Sequence, residues 1–447
     1  MKRTRAKKPS IVNMPLVNPN AAGIDVGDTL HAVAVPDGRD ELQVQTFGTM
    51  TCDLHEIVTW LHQCEVDTVA MESTGIYWKP LFGLLIQSGF EVYLVNAKQV
   101  RNVSGRKNDE DDALWIQKLH SCGLLKSSYL PYDEQESLRT LVRYRKTLTE
   151  DSSRFVLRMQ KCLEMMNIKV HTVIRDITGK TGTRIIEAII AGEREAVKFI
   201  PLLESNIKAD HQTIIKSLEG NWRDEQLFLL EQCYIGFRFY KEQITVCDAE
   251  IERTLAQFQT EVFPEAAIEK VVKKKQANKN KPKFDTSSYM KLILGVDTTE
   301  IYGISDISAL EILSETGTDM SKWETEKHFV SWLNLCPNNK ISGGKLISSM
   351  LMKKKPNPAS QAFRHAANAV QRSNNWLGDY FRRMKAKGGN SYAIVATAHK
   401  IATIYYKMVK YKQPFIPVNL DDYQRRYKQA KIAYLERRLS DLKQQVA

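Results

Sequence analysis

Apolar positions along this chain change their period twice, and each change marks a different kind of structure. Between residues 22 and 95 short apolar runs alternate with turn signals. Ala22–Val26, His31–Val35 and Leu42–Phe47 read as strands, separated by Asp28 and the Pro36-Asp37-Gly38 turn. Leu54, Ile57, Val58, Trp60 and Leu61 then follow helical spacing. Val66–Met71 is a short buried strand, Trp78–Ser88 a helix and Glu91–Val95 another strand. This order predicts a mixed sheet with helices on its faces, the pattern of a ribonuclease-H-like α/β fold. Asp109–Cys122 continues as an amphipathic helix, with Ala113, Ile116, Leu119 and His120 on one side.

Further on, the period lengthens. Leu141, Leu148, Phe155 and Cys162 recur every seven residues within 134–170, interrupted by Arg145 and Ser152. Within 223–259, Leu227, Leu230, Tyr234, Phe237, Ile244, Ile251, Leu255 and Phe258 keep a three-four alternation. Two long helices with narrow apolar seams suggest an antiparallel coiled coil with a smaller helical insert over 171–222. Its bland use is oligomerisation, although Arg139, Arg143, Arg145, Lys146, Arg154, Arg158 and Lys161 are also placed to track phosphates. Lys270–Lys283 is low-complexity and basic, a linker between domains. From 290 the spacing is helical again, over Ile307–Thr316, Lys327–Leu335, Ala359–Gln371, Trp376–Ala386 and Ser391–Lys410. Gly295-Val296-Asp297 and Gly303-Ile304-Ser305 resemble a helix-hairpin-helix element, which offers backbone N–H groups to phosphates. Cys336–Lys345 reads as a loop. A basic tail from Asp421 reads as one more amphipathic helix, on Tyr427, Leu435, Leu439 and Leu442.

The expected organisation is therefore a flexible basic arm over 1–20, an α/β domain over 21–130 and a helical coiled-coil region with its insert over 131–265. A basic linker over 266–289, an all-α C-terminal domain over 290–412 and a helical tail over 413–447 follow. The chain's 447 residues are too many for one ordinary core. A net charge of +12 favours polyanions, of which nucleic acid is the commonest, although a generic basic protein fits charge alone equally well. Seven scattered cysteines form no CxxC, which argues for a reducing compartment without a structural zinc. No apolar run reaches membrane length, and the expected place is the cytoplasm.

Three acidic segments change the picture. Asp25 stands inside the apolar run Gly23-Ile24-Asp25-Val26, where an unpaired charge is costly. Glu72 ends another strand, and Asp109 and Asp112 share a helix face at i and i+3. Each acid alone has an ordinary structural role open to it, as turn acid, N-cap or solvated helix acid. As an ordered set they offer oxygen ligands for two divalent ions, the arrangement that phosphodiester chemistry uses.

The order GIDV, MESTGIYW, RKNDEDDA resembles the DEDD-type transposases of a bacterial insertion-sequence family whose enzymes are guided by a structured bridge RNA. The resemblance covers about 21–122 and 290–410. It implies a RuvC-like domain in which Asp25, Glu72, Asp109 and Asp112 are catalytic and bind Mg²⁺ or Mn²⁺, with Glu110 and Asp111 as second choices. It also implies a C-terminal transposase domain with a serine nucleophile in a glycine-rich loop. Ser342 in Lys340-Ile341-Ser342-Gly343-Gly344-Lys345 matches that serine, and a Ser-Gly-Gly turn is its bland reading. Lys345, Lys353, Lys354, Lys355 and Arg364 are the expected nucleic-acid contacts. Where the family carries a Lys-x-Gly run, this chain has Lys355-Pro356-Asn357-Pro358.

The implied activity is RNA-guided cutting and rejoining of DNA through a covalent phosphoserine. The implied partners are donor and target DNA, a guide RNA and further copies of the chain in a dimer or tetramer, associated with the bacterial nucleoid. The alternative is a RuvC-like structure-specific nuclease that uses the acids and water alone.

Overall fold

A computed structural model describes residues 14–73, 75–96, 109–127, 133–262, 280–351 and 357–446. The chain divides into two compact units, Met1–Leu130 and Pro131–Ala447.

The first unit is built on a five-stranded sheet: β1 (Ala21–Val26), β2 (His31–Ala34), β3 (Val44–Phe47), β4 (Thr68–Glu72) and β5 (Glu91–Val95). The strand order is β3-β2-β1-β4-β5. β1 runs antiparallel to β2, and β2 to β3, whereas β1–β4 and β4–β5 are parallel. This is the mixed sheet that the apolar runs predict. Side chains alternate across it. Ala22, Ile24, Val26, Val33, Val69 and Met71 point to one face, where helices α1 (Thr51–Gln63) and α2 (Trp78–Gln87) cover them with Leu54, Ile57, Leu61, Leu81 and Leu85. The other face is lined with small residues. Ala32 and Ala34 meet Ala113, and Ala70 meets Ile116 and Leu119, all three on α3 (Asp109–Ser121).

The second unit begins with α4 (Asp133–Met165) and includes a one-turn helix α5 (Val170–Val173), α6 (Lys180–Ile190), α7 (His211–Leu218) and the long α8 (Asp224–Val262). α4 and α8 pack antiparallel along their lengths. Cys247 Sγ contacts Leu141 O, and the rings of Phe155 and Tyr240 lie 5.5 Å apart. The seam residues of α8 are buried or half-buried as their spacing predicts. Arg145, which breaks the seam of α4, is itself buried and pairs with buried Asp248 of α8. The same guanidinium donates to Asn280 O at 3.0 Å, and Lys283 N donates to Asp248 Oδ2 at 3.2 Å. A buried charge is tolerated here because its partner and the backbone satisfy it. α5, α6 and α7 form the insert, with their own core around Ile168, Ile185, Ile189, Phe199 and Leu218.

The remaining helices are α9 (Thr286–Leu294), α10 (Asp306–Thr316), α11 (Glu326–Trp332), α12 (Pro358–Ala369), α13 (Trp376–Tyr411) and α14 (Leu420–Val446). Their core gathers Phe329, Phe363, Tyr405 and Tyr406. The two helices expected over 376–410 run together as α13, broken at Gly389, whose φ of 81° is not helical. The C-terminal domain is not all-α. β6 (Asn338–Ser342) and β7 (Lys345–Met350) form an antiparallel hairpin where a loop was expected. Gly343 and Gly344 have φ of 55° and 77°, so both central residues of the two-residue turn are left-handed, the geometry that closes a tight hairpin. The helix-hairpin-helix expectation also changes at Gly303. A Cβ there would lie 2.3 Å from Ala366 O, so this glycine serves close packing on α12.

Candidate active site

The register of β1 on β4 positions the first acids. Ile24 pairs with Met71, so Asp25 and Glu72, one residue further on, stand side by side on neighbouring parallel strands. By the alternation of the sheet they share the face of Gly23 and Ala70, the face that α3 covers. Both are half-buried.

α3 lies along that face antiparallel to β1, and a series of contacts fixes its height. At its C-terminal end Ser121 O accepts from Val17 N at 2.8 Å. One turn back, Gln117 Nε2 donates to Ala21 O at 3.1 Å and to Ser121 Oγ at 2.9 Å. Further along β1, Gly23 faces the helix backbone itself. A Cβ on it would fall 2.2 Å from Gln117 N and 2.5 Å from Ala113 O. Continuing two residues along the strand leads to Asp25, and the residue before Ala113 on the helix is Asp112. The C-terminal ends of β1 and β4 and the N-terminal turn of α3 therefore meet at one end of one face.

Asp112 is half-buried there, whereas Glu110 and Asp111 are exposed. The backbone of Asp109 opens α3, but its side chain lies outside the described residues, as do Lys353, Lys354 and Lys355. Among the described residues, no group of three or more His, Cys, Asp and Glu side chains is spaced to hold a metal ion. The structure thus pairs Asp25 with Glu72 by register and brings Asp112 to the same edge.

The foot of α3 is held by a buried imidazole. His120 Nε2 and Thr68 Oγ1 are 2.9 Å apart, and Thr68 Oγ1 donates to Glu91 O at 3.0 Å. The ring of Tyr93 lies 4.6 Å from that of His120. Burial pushes the His120 pKa down to about 4, so the ring is neutral at ordinary pH. Gln117, His120 and Gly23 are positioning residues that the acidic motifs alone do not reveal. Their signal was weak: a glycine in an apolar strand, and two polar residues on the apolar side of a helix.

Ser342 is placed by the second unit. It is the last residue of β6, exposed, and pairs directly with exposed Lys345 across the Gly343-Gly344 turn. Ile341 and Leu346, the next pair, are exposed as well. Arg364 is half-buried on α12, and its Nη2 donates to Asn334 O at 3.3 Å, at the root of the hairpin. Desolvation pushes its pKa below the ordinary guanidinium value. Of the two prolines, Pro356 lies outside the described residues and Pro358 opens α12: Asn357 Oδ1 accepts from Ser360 N at 2.7 Å, and Pro358 takes the first turn.

Several basic residues of α4 are engaged within the chain. Arg143 grips the buried carboxylate of Glu315 with two hydrogen bonds of 2.8 and 2.9 Å, and Arg139 donates to Glu315 O. With Arg145 held by Asp248, three cations of the phosphate track expected there are paired within the unit, although Arg143 stays exposed.

No helix among the described residues is long and apolar enough to cross a membrane. No curated protein matches the chain. Two family models do. One, of the DEDD type named for IS110 and described as a transposase, matches residues 22–168, which contain the sheet, α3 and all four acids. The other, described as the transposase IS116/IS110/IS902 family, matches residues 298–382, which contain the hairpin with Ser342. Together they span more than half of the chain. DNA is the substrate of such an enzyme, and a DEDD domain generally depends on a divalent metal. The chain belongs to the IS110 family of DEDD transposases and is a DNA transposase or recombinase.

Proposed function

We propose that this transposase cuts and rejoins DNA with Ser342 as nucleophile, assisted by Mg²⁺ or Mn²⁺ on Asp25, Glu72, Asp109 and Asp112, and that a structured RNA selects the sites. The observation that carries the reading is the register of β1 on β4, which sets two carboxylates side by side at the end of the sheet where α3 begins with two more. The donor set consists of hard oxygens alone, which suits a small divalent ion. When bound, such ions supply charge neutralisation at the scissile phosphate.

Ser342 Oγ attacks phosphorus. The Oγ–P bond forms as one P–O ester bond of the strand breaks, and the displaced strand leaves as a hydroxyl. Attack by the hydroxyl of another strand reverses the step, restores the serine and conserves the ester, so exchange needs no ATP. Lys345, paired with Ser342, is placed to meet the phosphate, and two glycines at the tip let a DNA backbone approach. Lys353, Lys354, Lys355 and Arg364 extend the same basic segment. Two strands must be cut on each duplex, so the working complex is a dimer or tetramer.

The test is a Ser342→Ala chain incubated with donor and target DNA, co-purified RNA and Mg²⁺. Loss of the denaturant-resistant protein–DNA adduct is expected. An adduct that persists overturns the serine, and cleavage that continues without any adduct replaces the reading with a water-using nuclease. Asp25→Asn and Glu72→Gln should each lose turnover at every Mg²⁺ concentration. Sequencing of RNA that co-purifies with the protein tests the guide, and a preparation that is fully active after ribonuclease treatment removes it.

A further inference from the structure

Two cysteines face each other at the neck of the helical insert. α4 ends at Met165 and α8 begins at Asp224, and the insert is carried between those two ends. Aromatic packing fixes the antiparallel register here. Phe155 of α4 meets Tyr240 of α8 with ring centroids 5.5 Å apart. A Cβ on Gly236 would fall 2.5 Å from the Phe155 ring, so that ring lies against bare α8 backbone and the helices draw together.

Two turns onward along α4 and two turns back along α8, about seven residues each way, stand Cys162 and Cys233. Seven residues return a helix to nearly the same face, so these side chains meet as Phe155 and Tyr240 do. Both are buried, in the core that the insert shares with the ends of α4 and α8. Each thiol perturbs the ionisation of the other, as near neighbours must. Packed helix axes 8–10 Å apart, with each Cα about 2.3 Å from its axis, bring facing Cα atoms to roughly 4–6 Å, within reach of a disulfide.

We propose that Cys162 and Cys233 are a redox couple: a peroxide converts the two thiols into one disulfide that staples α4 to α8 across the neck of the insert. One sulfur attacks a peroxide oxygen and becomes a sulfenic acid as the O–O bond breaks. The second sulfur displaces that oxygen, the S–S bond forms, and with hydrogen peroxide as oxidant two waters leave. A dithiol reductant reopens the bond. Burial pushes both thiols above their ordinary pKa, with Arg158 and Lys161 acting against it, so the resting pair is protonated and closure is slow. The couple is separate from the DNA chemistry and does not depend on the role of Ser342.

Hydrogen peroxide on the full-length chain tests it. The quenched chain is unfolded in urea with N-ethylmaleimide and digested without reductant for mass spectrometry. The expected product is a linked pair of peptides carrying Cys162 and Cys233, two hydrogens lighter than their sum and released by dithiothreitol. Exposed Cys52 reports that the oxidant has acted. If Cys52 is oxidised while Cys162 and Cys233 are recovered as maleimide adducts, as separate sulfinic acids or linked to other cysteines, the couple is overturned. The melting midpoint of the linked second unit should rise by roughly 5–10 °C, because the bond closes a long loop of the unfolded chain. Dithiothreitol should remove that shift, and Cys162→Ala and Cys233→Ala chains should each lack it. An equal shift in those variants, or none in the linked chain, overturns the staple.

Discussion

Replacing Gly23 with Ala tests how tightly the acidic edge depends on the seating of α3. The added Cβ would stand 2.2 Å from Gln117 N, 2.5 Å from Ala113 O and 2.7 Å from Gln117 Cα, all backbone atoms of the helix. No side chain can rotate away, so restoring ordinary contact requires α3 to lift by roughly 1 Å, and overpacking of that kind typically costs about 1–3 kcal/mol. For a domain of this size each kcal/mol lowers the melting temperature by roughly 4–8 °C. On the reading proposed above the catalytic consequence is larger, because the start of α3 lies by Asp25 and Glu72, and a displacement of about 1 Å in a catalytic constellation can reduce the rate on the order of 10²-fold. A thermal melt followed by circular dichroism and a strand-transfer assay well below the melting temperature separate the two effects. A Gly23→Ala chain that melts with the wild type would refute the tight seating of α3, and one that is destabilised yet recombines at the wild-type rate would refute its coupling to chemistry.

Other perturbations have defined outcomes. His120 has a folded pKa of about 4 against an ordinary 6.5, so the unfolded chain binds the proton more readily; its contribution is complete above about pH 6.5, is lost as pH falls toward 4, and amounts to at most about 3 kcal/mol. His120→Gln should flatten the acid limb of the N-terminal unit's stability, measured by denaturant melts between pH 7 and 4; an unchanged limb places the acid sensitivity elsewhere. Asp248→Ala leaves the Arg145 guanidinium buried without its carboxylate and should destabilise the second unit by about 3–5 kcal/mol, whereas Arg145→Met with Asp248→Leu should recover most of that loss in the same melt. Gly344→Ala has open space around it but a φ of 77°, so the expected cost is about 1 kcal/mol of backbone strain confined to the hairpin, seen as slower adduct formation at an unchanged melting temperature.

The α/β sheet was legible because its strands are short apolar runs of ordinary length bounded by turn residues, and because the two faces bear different side chains. The helix seams were legible for the same reason. The hairpin was missed, although Gly343-Gly344 between two short runs is a hairpin signal, because its apolar residues Ile341, Leu346, Ile347 and Met350 are exposed and do not alternate with polar ones. The acidic motifs named candidate residues without indicating their height relative to one another. The height of α3 is set by Gly23, Gln117 and His120, whose hydrogen bonds join residues 52 and 96 apart in the sequence for His120 and Gln117. The basic residues of α4 misled for the complementary reason: composition shows a charge, but only the packed structure shows that Glu315 and Asp248 already engage it.

Ser342 stands at the end of a two-stranded ribbon with neither face sheltered, and ribbons of this size hold little shape by themselves. On the reading proposed above, the hydroxyl is latent in the free protein, since among the described residues both strands of the ribbon are exposed around it. Accidental self-damage to a host chromosome would then be limited by assembly rather than by an inhibitory subunit, and the rate of exchange should track how often complete complexes form.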